Sequence, residues 1–253
     1  MTGMEERIAA ARAAPPDPEL PARAVSLIDL TSLTGSETAR DIEELCRKAV
    51  THGVAAVCIY PDLLPVARSA LARSNVRLAT VVAFPDGGDD IALAAGEARV
   101  AVAAGAAEID VVAPLGAIRE GDIGLVGELV TACREAAGPA VAIKLILETG
   151  VLQQPDTITA VARSAIMAGV DFLKTSTGKS AVGATPDATL VLLQVIAEAG
   201  GRVGLKVSGG IRTAEDAALY LALAADVMGR DWITPERFRF GASSLLDDLL
   251  KQV

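Results

Sequence analysis

The chain has 253 residues and carries 23 Lys and Arg against 32 Asp and Glu, a formal net charge of −9; 51% of its residues are hydrophobic and only 3% aromatic. So apolar a composition excludes a disordered chain, and the acidic balance argues against nucleic-acid binding as its main task, though a local basic pocket can still receive a small anion. The longest stretch free of Asp, Glu, Lys and Arg, Ala49 to Pro61, has 13 residues, short of the ~18 that suggest a membrane span.

Residues 1–24 read as an extension with one short helix over Glu5–Ala14, stopped at Pro15-Pro16. They hold no basic segment leading into an apolar one, so no secretory signal is expected. From there, short apolar runs alternate with longer segments of helical period. Strands are expected over Val25–Leu30, Val54–Tyr60, Arg77–Phe84, Ala107–Val112, Ala140–Leu147, Val170–Lys174, Arg202–Val207 and Arg237–Phe240. A helix follows each, at about 37–51, 62–74, 90–104, 122–137, 155–168, 186–199, 213–226 and 243–251. Ser36-Glu37 and Thr213-Ala214-Glu215-Asp216 resemble helix starts, the latter a capping-box variant. Thr185-Pro186 puts proline at a first helical position, and Gly53, Gly105, Gly138, Gly169 and Gly200 each close a helical run.

Eight consecutive βα units call for an all-parallel sheet, and eight strands close a barrel. The rival, an open doubly wound sheet, carries a glycine-rich loop after its first strand; Asp29-Leu30-Thr31-Ser32-Leu33-Thr34-Gly35 is not one. The expected fold is therefore a (β/α)8 TIM barrel with an extra N-terminal helix, a single domain over residues 1–253.

Barrel strands are buried on both faces and should be nearly pure in apolar residues. Here Asp29, Asp110, Lys144, Lys174 and Lys206 lie within or at the ends of strands 1, 4, 5, 6 and 7. An unpaired buried charge costs several kcal/mol, so these five must meet one another or a ligand. Strand alternation lets them converge at the C-terminal mouth, where barrel enzymes work. Lysines outnumber aspartates, which argues against an inert ion-pair filling. A second ammonium and a dry site both favour a neutral, nucleophilic amine, the group that attacks a carbonyl to give a Schiff base. Spacing alone does not choose among Lys144, Lys174 and Lys206.

A second constellation suits phosphate. Ser208-Gly209-Gly210-Ile211-Arg212-Thr213 follows strand 7 and Gly241-Ala242-Ser243-Ser244 follows strand 8, the two loops that often hold phosphate in this architecture. Thr177-Gly178-Lys179 after strand 6 adds a third wall. Other features read as structural. His52 closes a helix, Cys58 is a small buried thiol, Phe84-Pro85-Asp86-Gly87-Gly88-Asp89-Asp90 is a turn with a helix cap, and Glu97 and Arg99 lie on a solvated helix face. Cys46, Cys58, Cys133 and His52 have no zinc-site spacing, so no metal or cofactor is expected. An odd number of free thiols suits the reducing cytoplasm.

Lys174-Thr175-Ser176-Thr177-Gly178-Lys179 resembles the signature of deoxyribose-phosphate aldolases. Ile28-Asp29-Leu30-Thr31, Cys58-Ile59-Tyr60-Pro61, Glu108-Ile109-Asp110-Val111-Val112, Lys144 through Glu148-Thr149-Gly150, Ser208 through Thr213 and Arg239 through Ser244 match too, in family order from about residue 25 to 250. The resemblance implies a metal-free aldolase that cleaves 2-deoxy-D-ribose 5-phosphate to glyceraldehyde 3-phosphate and acetaldehyde in deoxynucleoside breakdown. It implies Lys174 as the Schiff-base nucleophile, Lys206 as the neighbour that lowers its pKa, and Asp110 as general acid/base with Lys206 through a water. Lys144 and Asp29 would order these three. Gly178, Lys179, Gly209, Gly210, Arg212, Ser243 and Ser244 would hold the phosphate. Two departures stand out: the chain reads Lys251-Gln252-Val253 where some relatives extend to a tyrosine, and Asp86 stands where relatives often have His. Two alternatives remain open. One is a Schiff-base aldolase or thiolase acting on another phosphorylated sugar. The other is a phosphate-sensing barrel without catalysis, which would not need Lys174, Lys206 and Asp110 together. The alanine-rich helices are compatible with a homodimer.

Overall fold

The β-branched and leucine-rich runs are too short for helices and too continuous for one-sided strands, and they assemble where both faces can be buried. The structure, a computed structural model, describes residues 2–15 and 17–252; Pro16 and Val253, each part of an expectation above, lie outside the described residues. The chain opens with α1 (Thr2–Arg12) and α2 (Leu20–Ser26), then β1 (Ile28–Ser32), α3 (Ala39–His52), β2 (Ala56–Ile59), α4 (Leu64–Leu71), β3 (Arg77–Val82) and α5 (Ile91–Ala104). It continues with β4 (Glu108–Val112), α6 (Leu115–Glu120), α7 (Gly124–Ala137), β5 (Ala142–Ile146), α8 (Thr149–Leu152), α9 (Pro155–Met167) and β6 (Phe172–Lys174). It ends with α10 (Pro186–Glu198), β7 (Gly204–Ser208), α11 (Ala214–Met228), β8 (Phe238–Ala242) and α12 (Leu245–Leu249).

Each strand pairs in parallel with the next, and β8 returns to β1 through Ile28 opposite Phe240 and Asp29 opposite Gly241. The sheet is therefore a closed eight-stranded barrel with helices between its strands, the (β/α)8 fold expected from the repeat. Strand alternation splits its side chains into two sets. Leu30, Val57, Ile109, Leu145, Leu173, Leu205 and Phe240 join the helices in the main core, each contributing about 1.5–3 kcal/mol of burial. Ala56 and Cys58 of β2 and Ala79 and Val81 of β3 form a separate apolar patch with Leu33, Tyr60 and Phe84. The strands on the other side of the barrel carry the charges.

Several boundaries differ from expectation. Val25–Ser26, read as the start of the first strand, belongs instead to α2, which has Pro21 in its first turn and packs against α11 and α12. Tertiary packing thus overrides the β preference of Val25. Helix α3 starts at Ala39, not after Ser36: Thr38 caps it in a reciprocal box with Asp41. Glu37 turns back to accept from Ser32 Oγ and the Thr34 and Gly35 amides. The Thr213 start is present, with Asp216 completing the box. Helices α6 and α8 were not foreseen; each is a few residues long, below what periodicity reveals. Asp90 caps α5 and Asp89 accepts from the Ala117 amide, so the acidic stretch there is a turn and cap. Glu97 is exposed, yet its carboxylate accepts from the amide of Ala83, a residue with φ +51. Among the described residues no helix is long and apolar enough to cross a membrane.

Candidate active site

Asp29 on β1, Asp110 on β4, Lys144 on β5, Lys174 on β6 and Lys206 on β7 meet inside the barrel, each at most 2% exposed. Asp110 is the hub. Its Oδ1 accepts from Lys144 Nζ at 2.7 Å, and its Oδ2 from Lys174 Nζ at 2.8 Å and Lys206 Nζ at 2.7 Å. Lys206 also reaches Asp29 Oδ2 at 2.6 Å, which lies 3.7 Å from Lys144. All five expected charges are therefore in one network.

Sequence reasoning overlooked two members of that network. Glu108 lies two residues before Asp110, on the same face of β4, and binds Lys144 at 2.7 Å. Arg239 on β8 binds Asp29 at 2.5 Å and Glu108 at 3.1 Å, with its guanidinium 5.7 Å from the Phe172 ring centroid. Period-two alternation from Asp110 was the available signal for Glu108. Among the described residues the linked buried set is thus four cations and three carboxylates, so the expected excess of one positive charge is kept in the larger network. Glycines make room for it. A Cβ on Gly241 would lie 2.9 Å from Lys206 Cε, and one on Gly204 2.4 Å from the Phe172 ring.

The three lysines are not electrostatically equal. Burial disfavours the charge on each of them. For Lys144, Asp110 and Glu108 outweigh burial and raise the pKa; for Lys206, Asp110 and Asp29 do the same. Among the described residues Lys174 has Asp110 alone as a carboxylate partner, shared with both other lysines. Burial, reinforced by the Lys206 ammonium, leaves its pKa lowered. Asp110 is buried too, but its three lysines hold it well below the ordinary carboxylate range. The Cys58 thiol is pushed up by burial.

Above this network the loops after β6 and β7 touch. A Cβ on Gly209 would lie 2.9 Å from Gly183 Cα and 3.5 Å from Gly178 Cα. Thr175 Oγ1 donates to the Ser208 carbonyl and accepts from its amide. Glu148, buried and with φ +55, accepts from the Thr177 amide at 3.1 Å and from the Thr177 hydroxyl; its other oxygen has no partner among the described residues. Glu148 therefore anchors the loop that carries Gly178, a role nothing in the sequence pattern signals. Lys179 donates its ammonium to the Leu33 carbonyl, joining the loops after β6 and β1. Arg212 is exposed, with its amide on Asp216. Gly210, Ser243 and Ser244 are exposed, the serines between β8 and α12. The Ala214 amide at the start of α11 donates to Asp248 of α12, tying the helix after β7 to the one after β8. A small anion could thus meet glycine amides, two hydroxyls and the Lys179 and Arg212 side chains at the end of the barrel nearest Lys174.

Residues 23–251 match the family model described as DeoC/LacD family aldolase. A protein from Coccidioides immitis assigned as a deoxyribose-phosphate aldolase is 29% identical, with a TM-score of 0.83 over 99% of this chain and 96% of its own. The tetrameric deoxyribose phosphate aldolase of Aeropyrum pernix is 28% identical, with a TM-score of 0.76 over 98% of this chain and 96% of its own. A Toxoplasma gondii protein assigned the same activity shares the fold at 22% identity, with a TM-score of 0.84 over 93% of each chain.

Proposed function

We propose that this chain, which belongs to the DeoC/LacD family of aldolases, cleaves 2-deoxy-D-ribose 5-phosphate reversibly to D-glyceraldehyde 3-phosphate and acetaldehyde. The observation that carries the reading is the position of Lys174: a buried amine whose one carboxylate partner is shared with two stronger claimants. Such an amine is the one best able to lose its proton and act as a nucleophile.

In this reading Lys174 Nζ attacks the C1 aldehyde of the open-chain sugar, and loss of water leaves a protonated imine. The C3 hydroxyl gives its proton to a water held by Asp110 and Lys206. The C2–C3 bond then breaks, and its electron pair moves into the imine to form an enamine. Glyceraldehyde 3-phosphate leaves. Protonation at C2 and hydrolysis release acetaldehyde and restore Lys174. Lys144 and Asp29 keep Asp110 and Lys206 oriented. The phosphate rests on Gly178, Gly209 and Gly210 with Lys179, Arg212, Ser243 and Ser244, and Lys179 exchanges the Leu33 carbonyl for it. The two relatives near 29% identity support this substrate. Three buried free cysteines support a reducing cytoplasm, where the reaction serves deoxynucleoside breakdown. The tetrameric relative supports a homo-oligomer.

Borohydride trapping with acetaldehyde, read by peptide mass spectrometry, tests the mechanism. A two-carbon adduct on Lys174 is expected, together with release of acetaldehyde from 2-deoxyribose 5-phosphate. An adduct on Lys144 or Lys206 reassigns the nucleophile. Folded protein that forms no adduct and leaves the sugar phosphate intact overturns the reading.

A further inference from the structure

The charged network does not end at the residues the proposed chemistry uses. Below Lys144 and Asp29 it continues to Glu108, which meets Lys144 at 2.7 Å, Arg239 at 3.1 Å and Arg77 at 2.9 Å. Glu108 is buried, whereas the Arg77 side chain is 49% exposed. Glu108, Arg77 and Arg239 line a cavity of about 890 Å³ at the N-terminal end of the barrel, opposite the mouth. A chain of ion pairs therefore runs the length of the barrel: Arg77, Glu108, Lys144, Asp110, Lys174.

We infer that Glu108 and Arg239, with Arg77 behind them, are positioning residues that set how readily Lys174 gives up its proton, by fixing how the carboxylates are divided among the cations. The groups around Lys174 are Asp110 from β4, Lys206 from β7 and Cys58 from β2, with Lys144 from β5 and Asp29 from β1 one link further. Lys144 stands between Glu108 and Asp110 at 2.7 Å from each. While Glu108 is charged, it takes part of the Lys144 ammonium. Without that charge, Lys144 leans wholly on the aspartates, and Asp110 has less left to hold a proton on Lys174. Arg239 works in the opposite sense. It occupies Asp29 Oδ1 and Glu108. Without it, those carboxylates draw Lys206 and Lys144 away from Asp110, which then holds Lys174 in its charged form. Both effects add to the direct Coulomb field of the lost charge, which acts in the same direction in a site this dry.

The meaning of the relay rests on Lys174 as the nucleophile; its existence does not, and the experiment separates the two. Competitive labelling of the full chain with trace acetic anhydride across pH, quantified on the Lys174 peptide, reads the titration midpoint without any turnover. Glu108→Gln should lower that midpoint and Arg239→Met should raise it, each by about half a pH unit or more. Arg239→Lys should restore it toward that of the unaltered protein. The acid limb of the pH profile for 2-deoxyribose 5-phosphate cleavage should move with the midpoint in each variant. Shifts of the same sign, or none in folded protein, overturn the relay. Opposite shifts in a protein that does not cleave the sugar phosphate uphold the relay and sink the assigned reaction. Should the interior variants fail to fold, Arg77→Gln at the half-exposed end should raise the midpoint by a smaller amount, and an unmoved midpoint there overturns the inference.

Discussion

Lys174 and Lys206 lie on neighbouring strands, directly opposite each other in register, yet they face different balances of charge. Lys206 has two carboxylates and Lys174 has a share of one. This difference predicts opposite consequences for the same kind of substitution. Lys174→Leu should abolish cleavage of 2-deoxyribose 5-phosphate and leave the circular dichroism spectrum intact. It should also raise the unfolding free energy by about 1 kcal/mol, because it removes the one cation in excess of the buried carboxylates. Lys206→Met should lower stability instead, since it strands Asp29 and Asp110. A Lys174→Leu protein that melts as early as Lys206→Met would contradict the charge count. Asp110→Leu leaves three buried ammonium groups without their shared partner. It should cost about 3–5 kcal/mol of stability and reduce turnover by about 10²- to 10⁴-fold, both measurable on the purified variant. Lys144, Lys174 and Lys206 could not be ranked from spacing because their sequence contexts are alike. What separates them is the number of carboxylates within hydrogen-bond reach, and those come from β1 and β4, far away in the chain.

At the scale of elements, the signals that were legible are local ones. Thr213 with Asp216 starts α11, and Thr185 with Pro186 starts α10. Thr213→Ala removes a side-chain oxygen that accepts from the Asp216 amide. It should cost about 1 kcal/mol, visible as a fall in melting temperature of about 2–4 °C. Strand β8 has a requirement of another kind. Gly241 lies against Lys206 Cε and Ser208 Cβ, so Gly241→Ala makes one or both side chains shift and disturbs the hold of Lys206 on Asp29 and Asp110. A protein that still folds but turns over at least 10-fold more slowly is expected, read from kcat at saturating substrate. Unchanged kcat would mean that Lys206 has slack the packing does not show. The elements that eluded sequence reading, α2, α6 and α8, are short and lie between units. Their helical form depends on what they pack against, as Val25 shows by leaving the expected strand for α2.

At the scale of the molecule, the barrel is filled on one side by small apolar side chains and on the other by a charged stack. Asp29 and Asp110 both have pKa values lowered in the folded chain by their lysine and arginine partners, against the upward push of burial. Each contributes stability that is complete above the unfolded carboxylate pKa of about 4. That contribution is lost as pH falls toward the lower folded value, because the unfolded chain takes up the proton first. The urea midpoint should therefore vary little between pH 5 and pH 7 and fall steeply below about pH 4. A midpoint still level at pH 3 would show that the stack contributes little to the fold.

The alternation of eight strand and helix patterns sufficed to specify a parallel barrel, because hydrophobic period and turn chemistry are written locally in the chain. It also marked Asp29, Asp110, Lys144, Lys174 and Lys206 as out of place in buried strands, since a charge there is costly wherever its partner lies. The tertiary structure alone decided who the partners are. Closure of β8 on β1 brings Arg239 to Asp29 across 210 residues, and strand tilt lets Glu108 and Asp110 divide the same lysine. Pairing between charges depends on distance in space, which a linear sequence does not record.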